Sequence, residues 1–208
     1  HLTQYAAARA QVTALLRGYP IMDALSNIEF YKSGAVERPV PASNHIEPFL
    51  EANVPGLWTY YCVGQHRDVS NMFMSMPSAR NRILGVQLYK FRIAGFLQWG
   101  YNFYNAQFSD YPVDPYAVTD GDGFSPAGDC FQVYPGEGGV PEESIRMMVT
   151  AHALQDLRAM QWLETLVGRE RVLELIDGEL SEPVTFKRYP RGNDYLLNLR
   201  RRVNEDIV

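Results

Sequence analysis

Apolar residues recur at helical spacing over residues 2–17 (Leu2, Tyr5, Ala8, Val12, Leu15, Leu16), in a helical pattern entered directly from His1, and Gly18 marks its stop. The pattern then changes. Residues 19–25 form a short apolar run ending in a polar turn, which predicts a buried strand. A short helix is expected over 27–32, stopped by Ser33-Gly34, and the prolines of Arg38-Pro-Val-Pro-Ala42 hold that stretch extended. Asn44 is placed to cap a helix over 45–52. Leu57-Trp-Thr-Tyr-Tyr-Cys62 reads as a strand, residues 78–91 as a helix, and Ile93 onward as a strand again. Alternation of helix and strand predicts a parallel sheet or barrel joined by right-handed crossovers.

From 106 to 139 the periodicity dissolves into Asp, Gly, Pro and Tyr, with one strand expected over 130–134. Loops this long in compact domains are usually functional. Pro141-Glu-Glu-Ser then starts the strongest predicted helix, whose stripe runs Ile145, Met148, Val149, Leu157, Met160, Leu163, Leu166 and Val167 before Gly168. A shorter helix reaches Ile176, and Asn193 is placed to cap the last one. Only three or four parallel strands are countable, whereas an eight-stranded barrel takes about 250 residues. The expected fold is therefore α/β, the C-terminal half of a (β/α)8 TIM-like barrel over 1–105. A long active-site-side loop with a short strand follows over 106–139, and a helical C-terminal extension packs on the barrel over 140–208.

The 208 residues are 46% hydrophobic and 21% charged, which fits a globular chain with a real core. No apolar run approaches the roughly 20 residues of a bilayer span, so no membrane partner is expected. A net charge of −5 disfavours nucleic acid. The basic run Arg200-Arg-Arg202 complements a helix C-terminus. Cys62 and Cys130 lack metal-ligand spacing, and a disulfide between them stays open. His45, His66 and His152 do not group, and there is no Gly-x-Ser-x-Gly elbow. Asp120-Gly-Asp-Gly123 reads as a turn rather than a calcium loop, and Gly136-Glu-Gly-Gly139 is no phosphate loop. No metal or cofactor is expected. Glu142 and Glu143 suit the start of their helix, while Glu137 has better access to a cleft. Cellular compartment is not set by the sequence.

Candidate chemistry concentrates where the two aromatic runs end. Trp58 and Tyr60 share one strand face, and Gln98, Trp99, Tyr101, Asn102, Tyr104 and Asn105 lie at or just beyond the end of the next strand. Ligands of parallel α/β proteins bind at that end. Rings stack on the C–H faces of sugars and amides pair with hydroxyls, so the cluster predicts a carbohydrate site. Packing at the rim is the alternative. Asp23 either points from the rim into the cleft or caps the helix beginning near Ser26.

Several stretches carry a resemblance. Pro20-Ile-Met-Asp-Ala-Leu-Ser26, Trp58-Thr-Tyr-Tyr-Cys62, residues 71–82, residues 95–105, Gly128-Asp129 with Tyr134-Pro-Gly136, and Glu143-Ser-Ile-Arg146 occur in that order. Together they resemble the C-terminal half of the catalytic domain of glycoside hydrolase family 123. The resemblance implies a (β/α)8 barrel acting as a retaining exo-β-N-acetylgalactosaminidase. In that substrate-assisted reaction the sugar's 2-acetamido oxygen attacks the anomeric carbon, an exception to the two-carboxylate scheme. A Glu protonates the leaving oxygen and the preceding Asp orients the acetamide. This chain has no matching Asp–Glu dipeptide; Glu205-Asp206 is reversed and terminal. The resemblance places the pair immediately upstream of residue 1, so no catalytic residue is expected within the chain. It also sets His and Arg where this chain has Gln98 and Met72. The implied role is the sugar-binding wall, the implied partner a terminal 2-acetamido sugar or related glycoside. A non-catalytic carbohydrate-binding barrel is the rival. Open barrel edges would be covered by the missing N-terminal half or by a second chain.

Overall fold

The structure, a computed structural model, describes residues 2–208. The predicted entry into helix at His1 lies outside the described residues. Helix α1 (Leu2–Leu15) forms as its propensity dictates but buries none of its residues, and Val12, Leu15 and Leu16 stay exposed. It is held to the rest by Tyr5, which donates to Asp23 Oδ2 at 2.9 Å and meets the Phe30 ring edge-on, and by an Arg9–Glu37 ion pair.

Four short parallel strands follow in sequence order. Strand β1 (Met22–Asp23) pairs with β2 (Arg38–Pro39) after helix α2 (Glu29–Lys32). Helix α3 (Glu47–Glu51) leads to β3 (Trp58–Tyr60). Two abutting helices, α4 (Ala79–Arg82) and α5 (Leu84–Lys90), then lead to β4 (Gly95–Leu97), which pairs with β3 in the register Trp58–Gly95, Thr59–Phe96, Tyr60–Leu97. A parallel bridge from Ala42 to Tyr60 joins the two pairs. This is the α/β class with parallel pairing. The strands form an open array, and no barrel closes among the described residues. The predicted burial of the first strand does not hold: Met22 and Asp23 are exposed, and the contact from α1 reaches only the Asp23 carboxylate through Tyr5.

Residues 98–135 are not structureless. Asn102 bridges antiparallel to Phe131, Gln132 N–H donates to Tyr101 O, and Met74 N–H donates to Ala127 O. Strand β5 (Val133–Pro135) pairs antiparallel with β6 (Pro141–Glu143). The predicted helix start at Pro141 is thus a strand. Helix α6 (Ile145–Val167) begins at Ser144, whose Oγ accepts from Met147 N–H. Helices α7 (Arg169–Asp177) and α8 (Asn193–Ile207) complete the chain, the latter capped by Gly192 rather than Asn193.

Two apolar clusters hold these elements. One joins α5 (Val86, Tyr89) to α6, α7 and α8 through Met160, Leu163, Ile176 and Leu199. The other packs Ile46, Phe49, Leu57 and Tyr61 against Leu84, Leu88 and Phe186. Leu157 touches both. Of the predicted α6 stripe, Met160 and Leu163 are buried while Ile145, Met148, Leu166 and Val167 are exposed. Between the helices, Asp156 accepts from Arg82 at 2.7 and 3.0 Å and from Arg200 at 3.0 Å, so a nearly buried carboxylate is matched by two guanidinium groups.

The candidate carbohydrate wall

Strand β3 sorts its side chains cleanly. Leu57, Thr59 and Tyr61 are buried towards the helices, whereas Trp58, Tyr60 and Cys62 are half-buried on the opposite face. Phe96 follows Thr59 to the helix side, where it meets the Tyr61 ring at 4.7 Å. Across the pair, Gly95 leaves room for the Trp58 indole, and a Cβ there would overlap it. Tyr60 stands opposite Leu97; burial raises its phenol pKa, while Ser26 lowers it. Trp58, Tyr60 and Leu97 therefore share one face of the β3–β4 pair.

The chain beyond β4 does not keep its rings together. Trp99 packs with Phe103 and Phe124, ring centroids 5.7 and 6.3 Å away. Gln98 and Tyr101 turn to the helix side, where they line a cavity of about 370 Å³ with Leu84, Leu88, Leu154 and Leu157. Both polar atoms of the Gln98 amide are buried there without a hydrogen-bond partner among the described residues. Tyr101 Oη contacts Met147 Sδ at 3.7 Å. Tyr104 donates its hydroxyl to Val133 O at 2.7 Å. Asn102 is exposed, and Asn105 bridges Pro112. Asp23 is exposed, accepts from Tyr5 Oη and from its neighbour Ala24 N–H, and caps no helix. Asn27 performs the capping, accepting from Glu29 N–H.

One carboxyl escaped the sequence reading. Asp129 is fully buried between the end of β4 and residues 119–128, and burial pushes its carboxyl up to about 6. Ser125 Oγ, at 3.3 Å, and the Trp99 indole lower it only in part. The indole Nε1 and Asp129 Oδ1 are each buried without an ordinary hydrogen bond. Gly100 lets the strand end approach so closely, since a Cβ there would strike Asp129 O. Gly128-Asp129 belongs to the motif stretches that carry the family resemblance, but no spacing in the sequence signals that the side chain is enclosed.

Other motif residues build the support. Asn71 Nδ2 donates to Cys62 O and Gln65 O while its Oδ1 accepts from Met72 N–H, clamping the turn after β3. Asn81 accepts from Tyr61 Oη and donates to Arg146 O. Arg146 in turn donates to Phe131 O and packs against Gly128. Gln132, whose amide reaches Met72 Sδ, lines the Gln98 cavity. Cys62 and Cys130 are free thiols, both raised by burial and by the Asp129 carboxyl. Among the described residues no three His, Cys, Asp or Glu side chains converge as a metal site would require.

Parallel strand–helix units make this an α/β domain, consistent with a glycoside hydrolase domain. The glycoside hydrolase 123 catalytic domain model matches residues 1–163, and the chain belongs to that family. Comparison with curated proteins finds no match.

Proposed function

We propose that the chain is the sugar-binding part of a retaining, substrate-assisted exo-β-N-acetylgalactosaminidase, with a terminal β-linked 2-acetamido sugar as substrate. The family match over residues 1–163 carries this reading. Within the parallel array, in this view one half of a (β/α)8 barrel, Trp58 and Tyr60 supply apolar ring faces for the pyranose, and Asn102 supplies an amide at the rim. The acid step belongs to an Asp–Glu pair carried on a strand preceding residue 1. Its Glu protonates the leaving oxygen as the acetamide oxygen closes on C1, and its Asp polarises the acetamide. Gln98 and Met72, which replace the His and Arg of the family pattern, shift substrate preference.

The test uses the polypeptide extended upstream to include that strand, with aryl β-N-acetylgalactosaminide as substrate. Turnover with retention is expected, and Trp58→Ala should lower kcat/KM by about tenfold, roughly 1.4 kcal/mol of transition-state binding. Hydrolysis of a different aryl glycoside in a panel would overturn the substrate assignment. Sugar binding without turnover would instead favour the non-catalytic barrel.

A further inference from the structure

Helices α7 and α8 are joined by residues 178–192, which lie outside the family match and enclose a hollow of about 410 Å³. The segment is firmly built. Val184 and Phe186 are buried, one in each apolar cluster. Gln87 Nε2 donates to Thr185 O at 3.0 Å, and Val184 N–H donates to Asp177 Oδ1 at 2.9 Å. Thr185 closes a tight turn, its N–H donating to Arg188 O at 2.7 Å while its Oγ1 accepts from the Lys187 and Arg188 N–H groups. That turn sets Lys187 and Arg188 on the wall of the hollow, and Arg191 follows them. None of the lining residues belongs to a strand.

The charge there runs against the net −5 of the chain. Arg191 donates to two neutral acceptors, Arg67 O at 3.2 Å and Asp68 O at 3.1 Å, and its guanidinium lies over the Tyr189 ring at 4.6 Å. Behind it, Arg80 donates to Tyr189 Oη, Arg67 O and Val69 O. Neither guanidinium forms an ion pair among the described residues, so both charges stand uncompensated. The other two cations are paired loosely. Arg188 meets Glu182 at 3.3 Å and Lys187 meets Glu47 at 3.2 Å, with all four side chains exposed. Exposed pairs of this kind hold weakly, and an incoming anion exchanges for them readily. Cations gathered in a concave wall raise the local concentration of anions.

The hollow is too large for a bare ion. Waters take about 30 Å³ each, so a tetrahedral oxyanion would leave most of the space wet. Its walls are mixed: Leu180 and Pro190 are apolar, Ser181 offers a hydroxyl, and Glu182 is the one acid. A pyranose presents the matching combination of C–H faces and hydroxyls, and an anionic substituent on it matches the cations. We propose that this hollow binds one acidic sugar residue, a pyranose bearing a carboxylate or sulfate, at a site separate from the Trp58–Tyr60 wall. Lys187 and Arg188 take the charged group, and the fixed Arg191 guanidinium adds its field. Because the turn is already formed, little ordering opposes binding. The inference rests on residues 178–192 and their neighbours, not on the glycosidase reading.

Amide chemical shifts of the nitrogen-15-labelled 208-residue chain, followed during titration with glucuronate, test it. A ligand of this size should bind with a Kd of about 1 mM, and the shifts should centre on residues 180–191. Glucose, a similar ring without the charge, should bind at least about tenfold more weakly. The double variant Lys187→Gln with Arg188→Gln alters only exposed side chains and should raise the glucuronate Kd about tenfold or more. Should it fail to fold, Arg188→Gln alone decides. Inorganic sulfate is the third arm. Weaker binding than glucuronate supports a sugar site, whereas equal binding overturns the sugar assignment and leaves an oxyanion site only. Absence of shifts at about 20 mM glucuronate overturns the proposal. So do shifts centred elsewhere, or a Kd unmoved by the variants.

Discussion

Asp129 is the residue whose environment has the clearest thermodynamic consequence. Its carboxyl titrates near 3.8 when free and at about 6 in the folded chain, chiefly because burial penalises the charge. The folded state therefore holds the proton more tightly than the unfolded state. This group's stabilisation is full below about pH 4 and is lost as pH rises through about 6, a loss on the order of 3 kcal/mol. Urea midpoints of the wild type should fall across that window relative to those of Asp129→Asn; parallel curves would refute the assignment. Gly95 makes a second case. Replacing it with Ala puts a methyl group into the Trp58 indole. Overpacking of this kind costs about 1–3 kcal/mol, so Gly95→Ala should lower the denaturation midpoint and shift tryptophan emission together.

At the scale of elements, α6 depends on one cap. Ser144 Oγ accepts from Met147 N–H at 3.2 Å, and Ser144→Ala should cost about 1 kcal/mol, read as a lower thermal midpoint. The existence of α6, α7 and α8 was legible because their apolar spacing and glycine stops are local signals. The start of α6 was not. Pro141 and Glu142 obey the rules for a helix N-terminus, yet Pro141–Glu143 pairs with β5, and Tyr116 Oη donates to Glu142. Tertiary pairing overrides the local preference. The β3–β4 pair was legible from alternation along the chain, whereas residues 38–42 were legible only as extended and their pairing with β1 was not. Nor was the exposure of β1, since an apolar run does not say what covers it. At the candidate wall, strand parity put Trp58 and Tyr60 on one face correctly. Parity still holds at Gln98, which follows Phe96 to the helix side, but it fails by Tyr101, where β4 has ended and the backbone turns so that Asn102 bridges Phe131.

For the whole molecule, the distribution of buried contacts is uneven. Residues 164–208 lie outside the family match, yet Val172, Ile176, Leu196 and Val203 share one core with Ile83 and Val86. The C-terminal helices are thus structural partners of the matched region. Helix α1 is the opposite case: it lies inside the match but buries none of its residues and is moored through Tyr5 and Arg9. That asymmetry should be visible to a protease. Brief trypsin treatment should cut after exposed Arg17, release the leading peptide, and leave a resistant remainder that melts at the temperature of the uncut chain. The first helix would then be cargo the domain carries without leaning on it.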